Sequence, residues 1–399
     1  MSIDRYEFVI LGGGIIGLTI ARELKLRSPK ASVALVEKES EIGLHASGRN
    51  SGVLHAGIYY ASDSYRASFC QSGAIQLKEY IETKGIHIKN CGKLIVSSSE
   101  IEHERMLKLY GRGVSNGISL ELISKKEALK KEPFVQTYEG AIWSPDTSVV
   151  NIKEVLSALY CDLLEMGVKF YFNQMVDKVD VSQKTLNGPK GAIVSYDFLF
   201  NAAGAFADKV AHQFDVGLDY KLLPFKGMYR SLDPKIGEYL KTLIYPTPDP
   251  SFPFLGVHTN MSFNQQHFVG PSALPALGRE NYKIFADLNL IESIEMLFSL
   301  SKVMYRSKEI RKHAFEEVKK LNIEYFSDQL QKLFNFPILN FVGEYKKCGI
   351  RPQLFSKKEN KLIQDFKIIK AKQSVHVLNA ISPAFTSSFA FAKHCVDSI

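Results

Sequence analysis

The feature that most limits how this chain can fold is Gly12, Gly14 and Gly17, a G-x-G-x-x-G spacing set between an apolar run and an amphipathic stretch. Phe8 to Leu11 reads as a short buried strand, and a helix is expected from the glycines to about Arg27, with Pro29 beyond its end. Val33 to Val36 reads as a second strand that ends at Glu37. Each glycine has its own task. The first allows a sharp turn, the second lets backbone approach a diphosphate, and the third lets the helix pack against the strand. The helix start, with Ile15 and Ile16, then offers unpaired N–H groups to an anion. Glu37, followed by Lys38, stands where an acid would accept hydrogen bonds from a ribose diol and repel a 2′-phosphate. The expectation is an α/β dinucleotide site that disfavours NADP.

The next segment narrows the choice of dinucleotide. A nicotinamide enzyme would continue at once with further strand–helix units, whereas this chain runs into "SEIGLHASGRNSGVLHAGIYY". A long loop of small residues can lie along an extended cofactor, which points to FAD. Ser47, Asn50, Ser51, Gly52 and Val53 are its candidate contacts, and His55 follows directly.

Length and composition set the outer bounds. A chain of 399 residues, 45% of them apolar, is large enough for two domains. A net charge of +8 favours anionic partners. No aromatic-interleaved basic stripe suggests nucleic acid, so none is expected as a partner. Five dispersed cysteines without a CxxC pair suggest free thiols and a reducing compartment. No zinc-like ligand set is present, so no metal is expected. "FVILGGGIIGLTI" is too short to span a bilayer and is read as no signal peptide, so a cytoplasmic location is expected. The basic charge also allows peripheral contact with the inner face of a membrane.

With these residues in view, the chain resembles the D-amino-acid oxidase superfamily of FAD-dependent enzymes, and within it the L-2-hydroxyglutarate dehydrogenase/oxidase group. The resemblance spans nearly the whole chain. It rests on "FVILGGGIIG", "ALVEKE", "HASGRNSGVLHAGIYY", "NCGKLIVSSS", "LIYPTPDPSFPFLGVH", "VGPSALPALGRENY", "GIRPQ" and "LNAISPAFTSS". It implies a discontinuous, Rossmann-like FAD domain of the glutathione-reductase type, drawn from residues 1–86, 148–212 and 342–399. A mixed α+β substrate domain on an antiparallel sheet would come from residues 87–147 and 213–341. It also implies cofactor contacts at Val176, at Ala203 and Gly204, and at Arg351. Ser382, Pro383, Ala384 and Thr386 join them at the start of a small-residue helix, with Ser382 read as N-cap and Pro383 as the first helical residue. Residues 284–320 read as helical with a charged face.

Oxidising a 2-hydroxy acid requires a base for the hydroxyl proton and cations for the carboxylates. His55 is the first candidate base, with His258 the second, as base, orienter or carboxylate ligand. Arg351 in "GIRPQ" offers a planar fork suited to a carboxylate. Lys226 is the candidate for a second carboxylate, with Arg230 and Arg49 behind it, and Tyr245, Tyr59 and Tyr60 could donate to carboxylate oxygens. The expected reaction is oxidation of a small dicarboxylate, L-2-hydroxyglutarate, to 2-oxoglutarate. A flavin amine or amino-acid oxidase is the alternative, and a non-enzymatic flavin-linked RNA-binding or scaffold protein a remote one. Oxygen and a quinone both stay open as the electron acceptor.

Overall fold

The apolar run before the glycines is a strand, Arg5–Leu11, with its last three residues buried. In the computed structural model, which describes residues 3–237, 239–249, 255–283, 288–306 and 308–399, this strand lies inside an eight-stranded sheet. Gly191–Asn201 and Val33–Val36 flank it in parallel. Ser374–Asn379 and Lys169–Tyr171 extend the parallel order outward on the two sides. All four residues of Val33–Val36 are buried, as expected of a strand covered on both faces. The helix Ile15–Arg27 packs with Ile152–Glu165 and Ser388–Asp397, and together they build the largest apolar core. The dinucleotide-type α/β arrangement expected from the glycines is therefore present.

In a second sheet every pairing among the described residues is antiparallel. Its spine is the pairing of Tyr220–Leu232 with Val342–Ser356, from Tyr220 opposite Ser356 to Leu232 opposite Val342. His267–Gly270 and His258–Met261 extend it. The stretch from Val342 onward thus serves this sheet first. Only at Lys367–Ala371 and Ser374–Asn379 does it rejoin the eight-stranded sheet. A four-stranded sheet sets Leu243–Pro246 parallel to Lys93–Val96, with Tyr245 opposite Ile95 and Leu243 opposite Lys93.

Two small devices hold the loop that carries His55. Val53–Leu54 pairs with Ser148–Val150, which also pairs with Ile88–Asn90. The His55 amide donates to Thr386 Oγ1 at 3.2 Å, and the Cys70 thiol donates to the His55 carbonyl at 3.3 Å. The expected helical region divides into Leu290–Arg306 and Lys308–Lys319, while residues 284–287 lie outside the described residues. Among the described residues no helix is long and apolar enough to cross a membrane.

Candidate active site

One cavity of about 640 Å³ has both the glycine motif and the second sheet in its walls. At the motif, backbone geometry leaves no room for side chains. Gly12 holds φ +114°, and a Cβ there would lie 2.4 Å from the Ala202 carbonyl oxygen. A Cβ on Gly17 would lie 2.0 Å from the Gly12 carbonyl oxygen, so this glycine lets the helix seat on the turn. The Ile15 amide, one of the free donors at the helix start, gives its proton to Ser47 Oγ at 2.9 Å. The Glu37 carboxylate accepts from the Gly13 amide at 2.6 Å and from the Glu39 amide at 2.9 Å. Each of its oxygens keeps a further lone pair. The Lys38 ammonium joins Glu39 and Glu280 beside His45. Glu39, His45 and Glu280 are close enough to share an ion, but lysine already supplies the cation there.

His55, Tyr245, His258 and Arg351 line the same cavity. The His258 Nδ1–H donates to the Gly256 carbonyl at 2.7 Å. That bond sets the tautomer and leaves Nε2 as an acceptor. The imidazole also stacks on Tyr245 at 3.9 Å between centroids. His55 Nδ1 is buried and has no hydrogen-bond partner among the described residues. Burial pushes the His55 imidazole down to about 3, helped by the charges of Lys93, His258 and Arg66. His258 is pushed down to about 4, chiefly by burial. Both rings are therefore neutral near pH 7. Burial likewise pushes the Arg351 guanidinium down, and Arg66 adds to the effect. Arg351 stands opposite Phe225 in the two-strand spine.

The profile of the FAD dependent oxidoreductase family matches residues 7–398. The chain belongs to the family of FAD-dependent oxidoreductases. It is similar to L-2-hydroxyglutarate dehydrogenase of Escherichia coli (strain K12), with 33% identity over 396 residues, 99% of this chain and 93% of that protein. The mitochondrial L-2-hydroxyglutarate dehydrogenases of Caenorhabditis briggsae and Homo sapiens are 36% and 32% identical. This chain is covered to 98% and 100% in those alignments, and the relatives to 93% and 89%. Among solved structures, the fold is like that of the L-alpha-glycerophosphate oxidase from Mycoplasma pneumoniae with FAD bound. There the TM-score is 0.77 and the identity 21%, covering 99% of this chain and 94% of that one. Glycine oxidase from Geobacillus kaustophilus gives 0.73 and 17%, with the same coverage.

The residues present fit the cofactor of an FAD-dependent oxidoreductase. Gly12 lines the cavity in a turn so close to the Ala202 backbone that no Cβ fits, and Glu37 has acceptor capacity to spare. Small residues continue along the wall: Ala203 and Gly204, then Pro383 and Ala384. Of the expected cofactor contacts, Gly14, Ile15, Ile16, Lys38, Ser47, Asn50, Ser51, Val53, Val176, Ser382 and Thr386 also line the cavity, and so does Arg351.

Gly17 does not line the cavity; it sits behind Gly12, in the packing role expected of the third glycine. Four other expectations need correction. Gly52 does not line the cavity either. It has φ +77° and faces the Val150 carbonyl, while its amide donates to Asn50 Oδ1 at 2.9 Å. Lys226 alternates with its wall-forming neighbours Phe225 and Gly227, so its side chain leaves by the other face of the strand. Its ammonium donates to Asn281 Oδ1 at 3.0 Å and to the Lys283 carbonyl at 3.2 Å. Ser382 is not an N-cap, because the final helix starts at Ser388 with Ser387 as its cap. Residues 383–387 form a separate turn, closed by the Ser387 amide donating to the Pro383 carbonyl at 3.0 Å. Arg230 is likewise taken up by backbone, donating to the carbonyls of Gly343 and Leu321. Arg49, by contrast, does line the cavity, with its Nε donating to the Leu44 carbonyl at 2.8 Å and its guanidinium over the Tyr282 ring at 4.0 Å.

One charged residue beside the site had been given no role. Lys93 is 1% exposed, with its ammonium over the rings of Tyr59 and Tyr245. The only sequence signal for it is a lysine that opens the otherwise apolar strand "KLIV".

Proposed function

We propose that this chain oxidises the 2-hydroxyl group of L-2-hydroxyglutarate, giving 2-oxoglutarate. The observation that carries the reading is the single cavity, which joins a dinucleotide cradle to two neutral imidazoles and a buried guanidinium. The activity named for full-length relatives at 32–36% identity supports the choice of substrate.

In this reading Gly12, Gly14 and the Ser47 hydroxyl, oriented by the Ile15 amide, would hold the FAD diphosphate, and Glu37 the adenosine ribose. Bound FAD supplies the acceptor for the hydride that leaves the substrate carbon. Arg351 pairs with the carboxylate next to that carbon, as a fixed two-pronged donor. The His55 imidazole takes the hydroxyl proton. His258, with Nδ1–H committed to Gly256 and its ring stacked on Tyr245, fixes the wall beside the hydroxyl, and its Nε2 is the alternative acceptor for the same proton. An anionic substrate next to His55 opposes the effect of burial and raises the imidazole toward useful basicity. Residues 1–86, 148–212 and 342–399 would form the cofactor domain, with the long strand Val342–Ser356 shared with the substrate part. Anaerobic addition of each enantiomer of 2-hydroxyglutarate tests the reaction: the L form should bleach the flavin, and the D form should not.

A surface feature supports membrane contact and hence a quinone as acceptor. The helix Leu290–Arg306 exposes Leu290, Ile291, Ile294, Leu297, Phe298 and Tyr305. Its acids are paired with cations: Glu292 with Arg279 and Lys209, and the exposed Glu295 with Lys221. Lys302 and Arg306 stay exposed on it. An apolar stripe bordered by cations suits an anionic lipid surface. Vesicle flotation tests this: the protein should float with anionic vesicles, and Ile294→Ser with Phe298→Ser should abolish it. Failure of the wild-type protein to float would remove the membrane reading and leave the chemistry untouched.

A further inference from the structure

Lys93 opens the strand Lys93–Val96 and stands among apolar residues, with Ile95 and Leu243 beside it. A core lysine normally lets its ammonium reach water along the aliphatic stem. At 1% exposure this one does not. Its ammonium faces the Tyr59 ring at 4.9 Å and the Tyr245 ring at 5.1 Å. Among the described residues no carboxylate forms an ion pair with it, and the ionisable groups around it are Cys70, Cys91, His55 and His258. A buried ammonium with no anion is costly, and truncated pairs show how strongly a protein resists one. The ring faces offset only part of that cost.

The neighbouring polar atoms lack the same thing. The Tyr59 hydroxyl is buried with no partner, and so is Asn260 Nδ2. The Tyr245 hydroxyl reaches only Asn260 Oδ1, at 3.4 Å. Donors are in excess here and acceptors are short. Tyr245 and His258 line the cavity, and the Lys93 ammonium lies over the Tyr245 ring at 5.1 Å. The cavity wall at this point therefore carries a positive charge that nothing described in the chain neutralises.

We propose that Lys93 is a positioning residue that selects a dianionic substrate, its buried charge acting across the Tyr245 ring on the carboxylate farther from the reacting carbon. This deepens the hydroxy-dicarboxylate reading and rests on it. It also explains how the site can read two carboxylates when Lys226 is turned away. Burial pushes the Lys93 ammonium down to about 8, and an arriving carboxylate would favour the charged form.

The test uses the FAD-loaded protein and two unreactive anions, glutarate and butyrate, with binding read from perturbation of the flavin absorbance. Lys93→Met should weaken glutarate about tenfold or more and leave butyrate within about twofold, whereas Lys93→Arg should keep most of the preference. Equal weakening of both anions by Lys93→Met, or unchanged glutarate binding, would overturn the proposal. Should the Met variant fail to hold flavin, Lys93→Gln gives the same comparison. Because no turnover is read, the result is separate from the reaction. If L-2-hydroxyglutarate failed to bleach the wild-type flavin, the substrate reading would fall, while the glutarate-to-butyrate ratio would still judge Lys93.

Discussion

The His258 ring lies on the Tyr245 ring, 3.9 Å between centroids and 29° from parallel. With the Gly256 carbonyl holding Nδ1–H, the imidazole is fixed in place and in tautomer. His55 is held only through its backbone, and its ring nitrogen Nδ1 has no partner among the described residues. An oriented acceptor and an unengaged base are different roles, so the two variants should behave differently. His55→Ala should slow flavin reduction about 10²–10⁴-fold, the range for loss of a positioned base. His258→Ala should act mainly on KM, with a smaller fall in rate. Stopped-flow reduction at saturating substrate separates the two, and the opposite ranking would exchange the roles.

The pH profile follows from burial. An exposed histidine base with a pKa of about 6.5 loses activity as pH falls from 7 to 5. His55 and His258 sit at about 3 and about 4, so their neutral forms persist through that range. The second-order rate constant for flavin reduction, which reports the free enzyme, should stay nearly flat from pH 7 to pH 5. Stability behaves differently. The unfolded histidines take up protons below about 6.5 and the buried ones do not, so Tm should fall over the same interval. A rate that drops tenfold per pH unit below 6.5 would contradict this account.

Gly12→Ala should give protein that purifies without flavin. The added Cβ would lie 2.4 Å from the Ala202 carbonyl oxygen, and φ +114° is a conformation that alanine resists. The flavin absorbance per chain, compared with that of the wild-type protein, measures the effect.

How much of this was legible beforehand differs from element to element. The strand Val33–Val36 and the helix Ile15–Arg27 match their expected bounds, because glycine chemistry, apolar period and a following acid all agree there. The strand before the glycines runs from Arg5, earlier than Phe8, since polar residues at a sheet end carry no period to read. Lys226 faces away from the cavity for a reason the local sequence does not carry. Strand alternation was visible in "PFKGMY", but which face borders the cavity depends on pairing with a strand more than a hundred residues away. The final helix begins later than its sequence suggests, because Ser382 and Pro383 imitate a capping pair and the chain makes an extra turn first. Lys93 carried almost no signal. Its importance lies in what surrounds it, and that is set by tertiary packing.

The corrected position of Lys226 gives a direct contrast with Arg351. Lys226→Met should change KM for L-2-hydroxyglutarate less than about threefold, as expected away from a binding contact. Arg351→Lys should raise it at least about tenfold, because a point charge replaces a two-pronged donor. Steady-state kinetics with an artificial electron acceptor checks both. A large effect at Lys226 with a small one at Arg351 would return the second carboxylate to the other face of the strand.

The central claim is that one cavity joins FAD to a base and a carboxylate clamp suited to L-2-hydroxyglutarate. Its most direct test is an anaerobic mixing experiment with the flavin bands monitored. The account predicts rapid bleaching with L-2-hydroxyglutarate, none with the D enantiomer, and severe slowing in His55→Ala. A flavin that stays oxidised with L-2-hydroxyglutarate but bleaches with an amino acid would contradict it.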